Sequence, residues 1–249
     1  MPLTATTKAT GFGTILLRGL LAGLIAGLLA GVFAYTIGEP KVDAAIAIEE
    51  AAAPPAAPGT PTEEPLVSRD GQKGGLFLAT GLYGVALGGL FAVAYALLRR
   101  RLHTHHDTRA ALGLAAAGLL GVVLVPWIKY PPNPPAVGDP ATIDQRTGSY
   151  LAILVIGVTA VAAAVLAFRA PRPHTPEWLR LLTGLGAFLL IVTIGYALLP
   201  NIDEVPATFP PSLLWNFRIT SLGVQAIMWT TLGLTFAALT TRTRPPATT

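Results

Sequence analysis

The chain contains no cysteine, so it can form no disulfide framework, thiolate metal site or cysteine nucleophile. Charge is scarce as well. Charged residues make up 12% of the sequence against 52% hydrophobic, with a mean hydropathy of +0.59, a balance that excludes a soluble globular fold. No G-x-x-x-x-G-K-[ST] phosphate loop is present, so the chain encodes no ATPase of that class. The G-x-S-x-G elbow of a serine hydrolase is missing, and the four histidines fall on the opposite side from most carboxylates. The long apolar stretches hold no His, Asp, Glu or Lys at mid-depth, where a proton-coupled carrier ordinarily shows an ionisable group. Without paired ionisable groups the chain reads as a non-enzyme with no permanently bound cofactor. A pI near 9.6 invites a nucleic-acid reading. The basic residues cluster at the ends of apolar stretches instead, so no nucleic-acid partner is expected.

What is abundant is apolar sequence in six long runs, at about 15–37, 75–98, 110–128, 150–168, 178–199 and 213–239. A hydrocarbon core about 30 Å thick needs ~20 apolar residues at helical rise, and each run reaches or approaches that length. Backbone groups in lipid must pair within their own segment, so these runs are predicted to be helices. The expected fold is all-α: one polytopic membrane domain over 1–249 with six transmembrane helices.

The distribution of Lys and Arg predicts orientation. One side carries eleven of them and the other six, which places both termini in the cytoplasm by the positive-inside rule. Eleven of the thirteen acidic residues lie on the outer side, leaving Asp107 and Glu177 inside. A net negative outer face raises the local cation concentration at modest ionic strength. The first run is longer than the core of a signal peptide and lacks a prompt small-residue cleavage site, so it is expected to be retained. Arg outnumbers Lys 13 to 4, a bias suggesting a GC-rich bacterial genome and hence the bacterial cytoplasmic (inner) membrane.

Between the runs, Glu39-Pro40 reads as a helix start, giving a short surface helix to Glu50 with Glu39, Asp43 and Glu50 on one face. Residues 51–68 are Ala/Pro/Glu-rich and read as an extended, disordered external linker. The segments 131–148 and 200–212 are Pro-rich. They are either stiff loops that hold side chains at a mouth or simple helix stops. Two successive hairpins or a three-plus-three inverted repeat both fit the topology.

Helix one carries Gly19, Gly23, Gly27 and Gly31 at every fourth position, and helix two carries Gly81, Gly84 and Gly88. Small residues in such register let helices approach closely in lipid, against each other or a partner subunit. Two sets of residues are candidates for metal. His103, His105 and His106 offer imidazole on the cytoplasmic side, with His174 in the next loop, as suits Co, Ni, Zn or Cu. Glu39, Asp43, Glu50, Asp139, Asp144, Asp203 and Glu204 offer hard oxygen outside. Arg218, about a turn inside the outer end of helix six beside Trp215 and Phe217, is costly unless it snorkels or pairs. It is expected to pair with Glu204, Asp203 or Glu39 and so to order the Pro-rich mouth.

Several stretches resemble one family. They are Leu17-Arg18-Gly19-Leu20-Leu21-Ala22-Gly23, the block Gly38-Glu39-Pro40, and Gly74-Gly75-Leu76-Phe77-Leu78-Ala79-Thr80-Gly81-Leu82-Tyr83-Gly84. With them go Lys129-Tyr130-Pro131-Pro132-Asn133-Pro134-Pro135-Ala136-Val137-Gly138-Asp139-Pro140, Asn201-Ile202-Asp203-Glu204-Val205-Pro206, and Leu214-Trp215-Asn216-Phe217-Arg218 followed by Ser221-Leu222-Gly223. Together they resemble the CbtA family, with the Pro-Pro-Asn-Pro-Pro segment the most specific part. The resemblance implies a cobalamin-linked cobalt-transporter subunit working with a small CbtB-like partner that has one membrane helix and histidines near its end. Such a partner would supply the nitrogen donors that selecting Co²⁺ over Mg²⁺ requires. The expected function is therefore uptake of a divalent transition metal, with Co²⁺ as the suspected cargo. The alternative is a non-transporting membrane scaffold that assembles a partner through its Gly-lined helix faces.

Overall fold

A computed structural model describes residues 11–53, 67–99, 107–172 and 174–241. Every regular element among them is helical. They are α1 (Phe12–Phe33), α2 (Glu39–Ala52), α3 (Arg69–Leu98), α4 (Asp107–Gly118), α5 (Val125–Lys129), α6 (Ile143–Arg169), α7 (Glu177–Leu198) and α8 (Pro211–Thr241). Two wide π-turns, Ala34–Gly38 and Leu119–Leu124, join α1 to α2 and α4 to α5 without a break, and a 3-10 turn at Pro140–Thr142 leads into α6. Six helical stretches are thus long and apolar enough to cross a membrane.

Several helices outrun their apolar sequence. The structure starts α3 at Arg69 rather than 75, and the 3-10 turn before α6 begins at Pro140 rather than near 150. The reason is physical: hydropathy marks only the part of a helix that meets lipid, and these helices continue past it as polar turns. The expected surface helix after Glu39 is present as α2, which extends to Ala52. Most of the expected linker 51–68 lies outside the described residues.

Each wide turn ends two residues before a proline, Pro40 or Pro126. Proline has no N–H to donate, and its ring collides with the carbonyl four residues back, here that of Thr36 or Val122. Widening the helix relieves the collision. Glu39 N–H accordingly reaches back five residues to the Ala34 carbonyl, and Val125 N–H to that of Leu120. Side chains cover neighbouring carbonyls. Thr36 Oγ1 donates to Val32 O at 2.9 Å, Lys41 Nζ to Ile37 O at 2.6 Å, and Tyr196 Oη to Val125 O at 2.6 Å.

The chain divides into two compact units. One comprises Met1–Gly31, Gly75–Ala116 and Ile227–Thr249. Its core is a glycine seam between α1 and α3. A Cβ built on Gly23 would strike the Gly84 carbonyl and come within 2.9 Å of the Gly88 Cα. One on Gly27 would strike the Thr80 carbonyl, and one on Gly88 the Gly19 carbonyl. Gly31 faces the Thr80 hydroxyl, and Gly81 lies in ordinary contact with Leu24 and Leu28. The two glycine rows therefore pack on each other, as the register predicts. Beside the seam, Phe236 of α8 sits edge-on to Phe91 and Tyr95, with ring centroids 5.2 and 4.9 Å away.

The second unit comprises Val32–Gly74 and Ala117–Ala226. It has its own close crossing, which the glycine spacing in the sequence does not signal. Gly121 in the second wide turn meets Gly157 of α6, and a Cβ on either would strike the other's carbonyl. Farther along, α7 lies against α6 where Gly184 faces the Ala164 carbonyl and Gly195 faces Ile156.

Backbone cannot step aside for a methyl group, so Gly23→Ala should destabilise by about 1–3 kcal/mol, as overpacking does. Gly113→Ala, on a face of α4 with nothing within 4 Å, should be neutral or mildly stabilising. Melting temperatures of the two variants in detergent, measured side by side, check this. Equal melting would mean that the seam does not bear on stability.

Candidate functional site

The ion pairs of the second unit lie where the chain leaves the apolar helices: on α2, the first turns of α3 and α6, and the loop 199–210. Glu39 and Asp43 stand one turn apart on α2, and Arg69 and Lys73 one turn apart on α3. Such i,i+4 pairs share a helix face. The two faces meet. Arg69 Nη2 pairs with Glu39, Arg69 Nε donates to Asp43 Oδ1 at 2.9 Å, and Lys73 Nζ pairs with Asp43 Oδ2 at 2.8 Å. The structure thus brings Glu39 and Asp43 together as expected, but with their lone pairs directed at two cations.

Glu204 is the other organising carboxylate, with its side chain only 8% exposed. It accepts from Arg146 Nη1 at 3.0 Å, from the Asp139 backbone N–H at 3.1 Å and from the Thr142 hydroxyl. Three donors converge on one group, as a buried charge requires. Asp139 uses its own carboxylate to cap the 3-10 turn, accepting from Ala141 N at 2.9 Å. Asp203 Oδ1 accepts from Val205 N at 3.4 Å. Glu50 and Asp144 are exposed. Among the described residues no three His, Cys, Asp or Glu side chains come close enough to hold a metal. His103, His105 and His106 lie outside the described residues.

Arg218 departs from expectation. Its Nη2 donates to Asn133 Oδ1 at 2.8 Å, and among the described residues it forms no ion pair with a carboxylate. Glu39 and Glu204 are committed to Arg69 and Arg146, and Asp203 acts on Arg218 only electrostatically. The tie between α8 and the Pro-rich loop exists, made by an amide in place of a carboxylate.

That loop is held along its length. Lys129 Nζ donates to the Tyr196 carbonyl at 3.0 Å and to Asn201 Oδ1 at 2.6 Å, while Tyr130 Oη donates to the Pro200 carbonyl at 2.7 Å. Trp127 Nε1 donates to the Arg218 carbonyl at 3.3 Å. Pro135 and Ala136 form a tight turn closed by Val137 N to Pro134 O at 3.2 Å, with Ala136 at φ 65°. A non-glycine residue there costs about 1–2 kcal/mol, so the turn stands because its surroundings impose it. Those surroundings are a small apolar core of Ala45, Val137 and Phe209, flanked by Ile48, Val205 and Leu213. An open hollow of about 550 Å³ lies alongside, lined by Glu49, Ala52, Val137, Ile143 and Arg146 among others.

Sequence reading missed Arg69, Lys73 and Arg146 as the partners of the acidic candidates, and Lys129, Asn133 and Asn201 as loop ties. A signal for the last three was available: all lie inside the stretches that resemble a family, at positions where packing alone does not call for a polar residue.

Glu204→Gln should destabilise the second unit by about 1–3 kcal/mol, since it leaves converging donors without their charge. Arg146→Gln should cost less than about 1 kcal/mol, because that side chain is a third exposed and solvent replaces the lost partner. Melting of both variants and of the double mutant checks this, and a larger effect from Arg146 would reverse the assignment.

Compared with known proteins, the chain matches the family described as "Probable cobalt transporter subunit (CbtA)" over residues 12–241. No curated protein matches it, and no solved structure does.

Proposed function

Because the chain belongs to the CbtA family of probable cobalt transporter subunits, we propose that it is the membrane-embedded subunit of a divalent transition-metal uptake system, with Co²⁺ as cargo. The observation that carries this reading is the family match across essentially all of the helical region. The chain is read as a multi-pass protein of the bacterial cytoplasmic membrane with both termini inside. In that orientation the ion-paired loops face outward, and exposed Glu49, Glu50, Asp139, Asp144 and Asp203 supply the negative field that gathers cations.

The carboxylates that come together are occupied by Arg69, Lys73 and Arg146, and oxygen donors alone discriminate poorly between Co²⁺ and Mg²⁺. Nitrogen donors from a small, His-bearing, single-helix partner of the CbtB kind would supply the selectivity. The paired loops then serve as the rigid rim against which that partner's donors are placed. A scaffold role remains the alternative reading. What favours transport over it is that Gly19, Gly23 and Gly27, which a scaffold would offer to a partner, are spent on α3 of the same chain.

Cells expressing this chain with its partner should accumulate cobalt from limiting medium, and deletion of the chain should abolish that accumulation. Unchanged cobalt content would overturn the transport reading and leave the scaffold. Orientation has its own test. Reporter fusions at Pro61 and Asn133 should read as periplasmic, and fusions after His106 and Arg244 as cytoplasmic; a cytoplasmic signal at Asn133 would overturn the arrangement.

A further inference from the structure

Arg18 of α1 is 9% exposed, and its Nη1 is fully buried without a hydrogen-bond partner. A guanidinium so placed is costly unless an opposite charge meets it. Its own unit offers almost none. The segments 1–31, 75–116 and 227–249 contain one acidic residue, Asp107, against eight Lys and Arg. Asp107 is already engaged, accepting from the Tyr95 hydroxyl at 3.1 Å, and forms no ion pair with Arg18. Arg99 follows the end of α3 one turn after Tyr95, its backbone N–H donating to the Tyr95 carbonyl at 2.8 Å. Arg18 thus lies in a unit whose sequence holds one carboxylate, already committed to the wholly buried Tyr95, against eight basic residues.

Among the described residues no carboxylate pairs with Arg18, which leaves the position open to a counter-charge from outside the chain. Guanidinium matches a phosphate through parallel N–H donors. Phe12 and Leu17, on the same end of α1, expose large apolar side chains, which suits acyl chains next to that phosphate. We propose that Arg18 holds the phosphate of an anionic phospholipid, reached through the exposed tenth of the side chain. The site is independent of the cobalt reading.

The test uses the full-length protein in neutral detergent, with bound lipid read by native mass spectrometry during titration with phosphatidylglycerol or phosphatidylcholine. Wild type should retain phosphatidylglycerol about tenfold more tightly, the effect of one charge-assisted contact. Arg18→Gln should bring that ratio close to one. Arg18→Lys should keep part of it, because a point charge replaces the fork. Arg109→Gln, on an exposed position of α4, should leave it unchanged. No preference in wild type, a full preference in Arg18→Gln, or an equal loss in Arg109→Gln would each overturn the proposal, the last by assigning the effect to diffuse charge. Free inorganic phosphate at millimolar concentration separates the two sources of the anion. Failure to displace the lipid supports the assignment, and displacement overturns it in favour of a soluble anion. Should Arg18→Gln fail to fold, the wild-type ratio and Arg18→Lys decide.

Discussion

Lipid offers backbone amides nothing to bond to, and nearly every feature of this molecule follows from that constraint. Spans must be helices, and any residue that breaks the helical ladder must be compensated on the spot. Pro40 and Pro126 break it. The chain answers with a wide turn before each and with Thr36, Lys41 and Tyr196 side chains on nearby carbonyls. Where the same chain meets water, the constraint relaxes, and there the polar ties accumulate.

Between helices the driving force differs from that of a soluble core, since lipid tails are as apolar as leucine. What remains is close contact, and glycine permits the closest. The α1–α3 seam and the Gly121–Gly157 crossing use the same device in the two units. Both place a carbonyl where a side chain would otherwise be, so both are intolerant of even a methyl group.

The fold was largely legible in sequence, because hydropathy responds to the lipid directly. The run at 178–199 became Glu177–Leu198 almost unchanged, and the fourfold spacing of Gly19, Gly23 and Gly27 named a seam that exists. The Gly121–Gly157 crossing was not legible, since neither helix carries a row of glycines at every fourth position and only the crossing makes these two partners. The polar cluster was half legible. Glu39, Asp43 and Glu204 stood out as carboxylates, but whether a carboxylate faces a cation or a basic side chain depends on contacts between segments far apart in sequence, 62 residues for Thr142 and Glu204. Arg218 shows the same limit. Its need for a partner was readable from its depth, whereas the choice of Asn133 depended on where the Pro-rich loop lands.

The second wide turn also sets a phase. Each residue advances a helix by about 100°, so the extra residue in a wide turn rotates everything after it by that angle relative to a regular helix. Gly121 lies within the turn and α5 directly after it. With Gly121 anchored on Gly157, the turn alone decides that Lys129 points to Asn201 and Trp127 to the Arg218 carbonyl. Closing this turn into regular α-helix with no residue removed would give a more regular helix and a wrongly aimed one. The apolar composition would be intact, yet Lys129 and Trp127 would be turned about a quarter of the way round the axis from their partners. Here an irregularity in the backbone works as a spacer, and the order of the loop depends on its being kept.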